Sequence, residues 1–541
     1  MKAFIHPALT AIGLSVLCFL GYISPLISPQ HLLIYQDSAS PVSVFVPVLL
    51  NIGFVWLVLT FLLCAADKPG RVQVFVWSGL FFAVPLVFLK VVSQLGALVL
   101  PIWLSRTLFL ASSIGFAALI VQWRPSFYPV FERARNFAST VLAFVGVGAI
   151  LVLGQTLWCF WQARDIQPPR PFHAQASQAS INAAPQRHRV VWIILDELSY
   201  QQVYERRFTS LDLPEFDRLA NQSTLFTQVR PAAERTEYAI PSFLTGLRVD
   251  DIRAGADGNL RSLRNPVTGA WQPFQPEDTV FHDALGRGYN TAVAGWYIPY
   301  CRILATVLDR CRWTFGASAD KWMLLGASIR TNTLAPWLRV ASWFVSNNYT
   351  NDRFASRMAE THIADYQWLA TEADKLLEDP SLNFVLLHVP APHPGGIYNR
   401  RTGAFTTHGA SYIDNLALAD RYLAHVHQLL KPRGQWDSST VIVMGDHSWR
   451  TTLLWSDQPG WTAEERAASH GGQFDPRPAY IVKLPHQTGP ARIAAPFDAV
   501  NTRPLLDALL GGSIQSPADL AAFAADLDRH SLASLRPPTP R

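Results

Sequence analysis

The chain has 541 residues, 49% of them hydrophobic and only 16% charged, against roughly 25% charged in typical soluble domains. Its net charge is +5, yet the first 160 residues carry eight Lys/Arg against three acids, and the other 381 balance at 37 of each. These figures exclude a single soluble domain, a disordered chain and a globally basic nucleic-acid binder.

Five apolar runs open the chain: Leu9 to Ile27, Phe45 to Ala66, Val72 to Leu89, Leu108 to Val121, and Ala138 to Phe160. Most approach the roughly 20 residues that cross a hydrocarbon core. Lys90 and Arg106 bracket a further apolar stretch, Val91 to Leu104, read as the end of the third helix and a turn at Pro101. Lys2 before the first run resembles a signal peptide, but no small-x-small cleavage site follows, so it reads as an uncleaved helix. With the N-terminus inside, Lys2, Lys68, Arg71, Arg124, Arg133 and Arg135 fall in inner loops, and only Lys90 and Arg106 fall outside. That bias predicts a cytoplasmic N-terminus and places everything after Phe160 across the membrane.

Residues 1–161 thus read as a transmembrane domain. Residues 162–188, rich in Pro, Gln, Ala and Ser, read as an extended linker. Residues 189–530 form the outer domain, and 531–541, with Pro537, Pro538 and Pro540, a flexible tail. Cys301 and Cys311 are the outer domain's only cysteines. Ten residues apart in an oxidising compartment, they suit a disulfide, with two buried thiols as the alternative.

The outer domain alternates strands and helices. Val190 to Leu195 (VVWIIL), Asn383 to Val389 (NFVLLHV) and Thr440 to Met444 (TVIVM) are continuous apolar runs, as in strands buried on both faces. Ala410 to Leu430 has helical periodicity, so the expected architecture is α/β, a mostly parallel sheet sandwiched by helices. Such sheets bind ligands at the carboxyl ends of their strands. There stand Asp196 and Glu197, Asp446 and His447, and Pro392-His393-Pro394. One acidic strand end is commonly a cap, but three together offer the ligand chemistry of a divalent metal. Thr236, in ERTEYAIPSFLTG, opens an expected helix, where its hydroxyl would meet the positive backbone end and, on a metal, ionise near neutral pH. Trp296, Tyr297 and Tyr300 read as core or pocket wall.

Taken together, these segments resemble the sulfatase-like branch of the alkaline phosphatase superfamily. Asp196 and Glu197 match its acidic first-strand end, and Thr236 stands ten residues before Gly246, the family's nucleophile spacing to a closing Thr-Gly. Pro392-His393-Pro394 is similar to its Pro-His-x-Pro segment. A helix carrying Asp420 leads to the strand ending in Asp446-His447, and Arg477 to Val482 resembles its next strand. One departure matters: sulfatases oxidise a Cys or Ser within Cys/Ser-x-Pro-x-Arg to formylglycine, whereas here stand Thr236 and no such arginine. A threonine nucleophile on a multi-pass anchor instead resembles lipoteichoic acid synthases and phosphoethanolamine or phosphoglycerol transferases. The several cysteine pairs of the phosphoethanolamine transferases are missing.

The resemblance implies a bacterial-type plasma membrane protein with a periplasmic or extracellular catalytic domain. It implies an ion of zinc or manganese, or else calcium or magnesium, on Asp196, Glu197, Thr236, Asp446 and His447. Thr236 would take a phospho-substituent from a membrane lipid and pass it to an envelope glycan or lipid-linked saccharide. His393, His470 and Arg235 would contact the substrate, and no nucleic acid is involved. The alternatives are a hydrolase of sulfate or phosphate esters and a non-catalytic membrane scaffold.

Overall fold

The computed structural model describes residues 2–36, 40–81, 107, 111, 128–166, 172–173, 188–316, 328–345, 347–451 and 461–534. The chain divides into two compact units, one of residues 1–27 and 45–161, the other of 28–44 and 162–541.

In the first unit, the helices Pro41–Ala65 and Tyr128–Ala163 are long and apolar enough to cross a membrane. The first apolar run is not one straight helix. It forms Lys2–Cys18 and Leu20–Ile27, bent by 75°, so the described residues offer three spans if this pair counts as one. Just before the break the Ser15 hydroxyl donates to the Ala11 carbonyl at 2.8 Å, a back-bond that bends helices, and Gly21 lies just after it. Residues 71–81 are helical, but the rest of the run Val72 to Leu89, the stretch Val91 to Leu104 with its expected turn at Pro101, and nearly all of Leu108 to Val121 lie outside the described residues. Small residues bring the first and last helices into backbone contact. A Cβ on Gly146 would lie 2.1 Å from the Leu9 carbonyl oxygen, and one on Gly13 would lie 2.5 Å from that of Leu142.

The second unit is built on a nine-stranded sheet: β1 (Phe172–His173), β2 (Val190–Leu195), β3 (Thr224–Phe226), β4 (Thr291–Trp296), β5 (Arg310–Thr314), β6 (Phe384–Val389), β7 (Thr440–Gly445), β8 (Tyr480–Lys483) and β9 (Ala491–Ile493). Their order is β1-β5-β4-β6-β2-β7-β8-β3-β9. The five strands from β5 to β7 run parallel, while β1 and β8 are antiparallel to their neighbours. Helices flank the sheet, as an α/β layered domain requires. β2, β6 and β7 are buried along their whole length, which is why each is a continuous apolar run rather than an alternating one. The helix expected over 410–430 spans Tyr412–Leu430, and Ser411 caps it by accepting from the Asp414 N–H while Asp414 answers the Ser411 N–H. Cys301 and Cys311 are joined as a disulfide, which ties the short helix Tyr300–Ile303 to β5.

Two segments go beyond the expected outline. Phe172–His173, in the Pro-rich linker, pairs with Cys311 and Arg310 as an edge strand. Residues 28–44, expected to be only a loop between spans, are part of the α/β unit. Tyr35 is fully buried in that unit's core. The Arg302 guanidinium donates to the Ile34 carbonyl at 2.9 Å and the Tyr35 carbonyl at 3.2 Å. The Ala254 N–H donates to the Gln30 carbonyl at 3.2 Å, and Asn332 Nδ2 to that of Ser43 at 2.8 Å. At the other end, the helix Pro517–Ser534 runs past residue 531, and 535–541 lie outside the described residues.

Truncating Tyr35 empties an aromatic-sized space in this core. Tyr35→Ala should therefore destabilise the α/β unit by about 3–5 kcal/mol. Denaturant unfolding of the detergent-solubilised full chain, followed by tryptophan fluorescence, measures it; a shift below about 1 kcal/mol would contradict the docking of this segment.

Candidate metal and nucleophile site

β2 and β7 are parallel neighbours, with Leu195 opposite Gly445. The residues that follow each strand therefore emerge side by side at the sheet's carboxyl edge. Gly445 permits this closeness, since a Cβ there would lie 2.6 Å from the Leu198 carbonyl oxygen. Glu197 takes a left-handed backbone with φ of 62°, and its N–H donates to Asp446 Oδ1 at 2.9 Å. The Tyr412 hydroxyl donates to its carbonyl at 2.7 Å, and the Tyr412 ring stacks on Trp449 at 4.3 Å. The turn after β2 is thus clamped from both sides.

Asp196, Glu197 and Asp446 have no exposed surface and His447 almost none. One ligand atom each from Asp196, Glu197 and His447 lies within 4.8 Å of the others. Asp446 and Thr236 join this group through His447, whose Nε2 lies 3.2 Å from Asp446 Oδ2 and 3.4 Å from Thr236 Oγ1. Thr236 is the first residue of helix α1 (Thr236–Thr245), entered through an extended Arg235 and closed by left-handed Gly246. Its hydroxyl therefore sits at the positive end of α1 and against the imidazole.

The electrostatics of this group are unbalanced. Glu197 is answered by Arg450, whose N–H and Nε lie 3.3 Å and 3.1 Å from its carboxylate and whose Nη2 also contacts it. Both Asp196 oxygens and Asp446 Oδ2 are buried with no hydrogen-bond partner among the described residues. Burial, and then the charges of Asp446 and Glu197, hold the Asp196 carboxyl well above the usual range. Burial acts on Asp446 in the same direction, but the His447 and His388 imidazoles and the Glu197 N–H leave it lowered overall. Bare buried carboxylates are costly unless a cation compensates them, and an oxygen-and-imidazole set is what a divalent ion takes. The residues present fit such an ion.

His393, just beyond β6, belongs to the same surroundings. Its Nδ1 lies 2.7 Å from the Pro394 carbonyl oxygen, which only accepts, so Nδ1 carries the proton. Asn415 Nδ2 donates to the His393 carbonyl at 2.8 Å. The ring meets Trp296 and His362 edge-on at 5.3 Å and 5.7 Å, with Trp296 itself part of the buried core. Burial and the Arg450 charge push His393 down to about 3, so it is neutral near pH 7.

Other expected residues stand apart. His470 is exposed, and no contact among the described residues ties it to the acidic group. Arg235 is exposed, and its guanidinium lies 3.7 Å from Glu237. Asp420 accepts the Glu215 and Phe216 N–H groups at 3.0 Å and 2.8 Å, holding the start of the helix Pro214–Asn221. Three side chains around the site escape the sequence reading. Arg450 pairs with a residue 253 positions away, and no local pattern announces it. His362 donates through Nε2 to the Pro390 carbonyl at 2.8 Å from the middle of a helix. His388 is the exception with a visible signal, a lone imidazole in an otherwise apolar strand.

Residues 188–474 match the family model described as Sulfatase, a little over half of the chain. The chain belongs to the sulfatase family. With that membership comes the enzyme fold of the alkaline phosphatase superfamily, whose members use a divalent metal. Several solved structures are similar to this sulfatase-family chain. The PsFucS1 sulfatase from Pseudoalteromonas sp. shares 14% identity over 60% of this chain and 68% of its own, with a TM-score of 0.40. The phosphonate monoester hydrolase of Agrobacterium radiobacter shares 17% over 60% and 74%, TM-score 0.36. The lipoteichoic acid synthase LtaP of Listeria monocytogenes shares 14% over 63% and 78%, TM-score 0.33. No curated protein matches the chain in sequence.

Removing Arg450 strands the Glu197 carboxylate. Arg450→Met should cost about 3–5 kcal/mol of stability, because it leaves a buried charge unpaired. The double variant Glu197→Gln/Arg450→Met should recover much of that loss; thermal melts that show no recovery would refute the pairing.

Proposed function

We propose that this chain is a membrane-anchored, metal-dependent transferase that moves a phospho-substituent of phosphoethanolamine or phosphoglycerol type from a lipid to an envelope glycan. One observation carries the reading: the Thr236 hydroxyl lies 3.4 Å from His447 at the start of α1, in a group whose buried Asp196 carboxylate has no hydrogen-bond partner among the described residues. Threonine cannot supply formylglycine, so a covalent phosphothreonine is the intermediate this residue allows. The apolar helices support a lipid donor, which is presented at the bilayer surface.

A divalent ion held by Asp196, Asp446, His447 and Thr236, with Glu197 at its edge, would lower the hydroxyl pKa and neutralise charge on the phosphoryl group. Thr236 Oγ1 attacks the head-group phosphorus and loses its proton. The bond to the diacylglycerol oxygen breaks, and that oxygen takes up a proton. An acceptor hydroxyl then attacks the phosphothreonine, restoring Thr236 and forming the new phosphodiester. His393 is neutral in the resting site, so protonating the leaving oxygen requires the incoming phosphate charge to raise its pKa. Otherwise it acts as a contact to the phosphate oxygens. Arg235 and His470, both exposed, serve as outer contacts for substrate. The cation bias of the flanking loops supports a cytoplasmic N-terminus and an extracytoplasmic catalytic unit in a bacterial-type plasma membrane.

The test uses the full chain in liposomes whose lipid carries a labelled head group. Diacylglycerol should appear, with a head-group adduct on the Thr236 peptide by mass spectrometry. Thr236→Ala should lose on the order of 10^4-fold or more of this activity and form no adduct. Release of free head group to water, without transfer to added glycan, would make the protein a hydrolase; full activity in Thr236→Ala would end the mechanism.

A further inference from the structure

His388 has no role in the chemistry above, yet it is fully buried against Asp196. In the sheet it pairs with Ile194 of β2 on one side and Gly295 of β4 on the other. Strand side chains alternate, so His388 shares a face with Ile194 and hence with Asp196 two residues on. Its Nε2 lies 3.5 Å from Asp196 Oδ2, and neither atom has a hydrogen-bond partner among the described residues. Its Nδ1 lies 2.9 Å from the Tyr300 hydroxyl.

The tautomer follows from Tyr300. That phenol is fully buried, and burial raises its pKa well above the ordinary value, so it keeps its proton. Among the described residues its hydroxyl bonds only His388 Nδ1. With the Tyr300 O–H as donor, Nδ1 accepts and the ring proton falls on Nε2, facing the carboxylate; the Trp296 backbone carbonyl, which the ring also meets, is the competing acceptor. The placement of Tyr300 is built in. A Cβ on Gly295 would lie 2.3 Å from the Tyr300 ring, so glycine makes the room. The disulfide of the next residue, Cys301, pins the same short helix to β5.

We propose that Tyr300 and His388 are a positioning relay for Asp196. The hydroxyl fixes the imidazole tautomer, and the Nε2–H, 3.5 Å from one carboxylate oxygen and not bonded to it here, would close on that oxygen as the other joins the ligand group with Glu197 and His447. Hydrogen bonds behind a metal ligand of this kind are typically worth 10–100-fold in metal affinity. This inference rests on the reading that Asp196 holds a divalent ion.

The experiment is calorimetric titration of zinc or manganese into the chelator-stripped full chain in detergent, with melting curves of the metal-free protein beside it. His388→Phe keeps the ring volume and removes the donor; it should weaken binding by roughly 10–100-fold. Tyr300→Phe should weaken it by about 10-fold, at the lower end of the same range. His388→Gln, whose amide returns an N–H to the same place, should bind within a few-fold of the parent. A packing role predicts the opposite order, with Phe tolerated and Gln not, and would overturn the relay. Parent-like binding by His388→Phe and Tyr300→Phe would overturn it as well. Asp196→Asn separates the two failures: if it too binds as the parent does, the metal reading itself is wrong.

Discussion

Three carboxylates and one guanidinium share a buried site, and their mismatch governs its surroundings. Asp196, Glu197 and Asp446 all face inward at the ends of two adjacent parallel strands, and among the described residues Arg450 forms its ion pair with Glu197. In a medium of low dielectric this arrangement persists only with protons or a cation making up the difference. The surroundings are rigid in proportion. Tyr412 stacked on Trp449 braces the Glu197 turn, and Gly445 lets the two strand ends meet. Catalysis by a metal ion depends on such a braced, dry and charge-deficient pocket.

The proposed nucleophile is placed by a different device. Thr236 comes from the first turn of α1, not from a strand end, so its position depends on how that helix seats over the sheet. Its neighbour Glu237 is tied to the Tyr297 hydroxyl at 3.1 Å, and Tyr297 in turn bonds the Gln36 side chain. The residue beside the Thr236 hydroxyl is therefore held by a chain of contacts that reaches back to the first tenth of the sequence.

What the sequence discloses and what it hides follow one rule. β2, β6 and β7 are legible because burial on both faces leaves an unbroken apolar run, and an acid after such a run stands out. The helix Tyr412–Leu430 is legible from its period and its Ser411 cap. Pairings across large sequence distances leave no such trace. Arg450 with Glu197, the edge strand Phe172–His173 and the seat of Tyr35 all depend on partners the local sequence does not specify. The break in the first apolar run is hidden for another reason: hydropathy reports how apolar a stretch is, not whether it is straight. His388 lay between these cases, visible as an oddity but meaningless until its strand neighbours were known.

The seat of residues 28–44 bears on how the protein is made and how it can be cut. The chain passes between its two units three times, near residues 27, 44 and 161. Tyr35 leaves the ribosome long before Arg302, 267 positions later, closes over its carbonyl. That aromatic must wait through the synthesis of about half of the protein, and the α/β unit cannot finish its core on its own contiguous stretch of chain. A protease that nicks the 162–188 segment would not set the catalytic unit free, because a second tether is already folded into it.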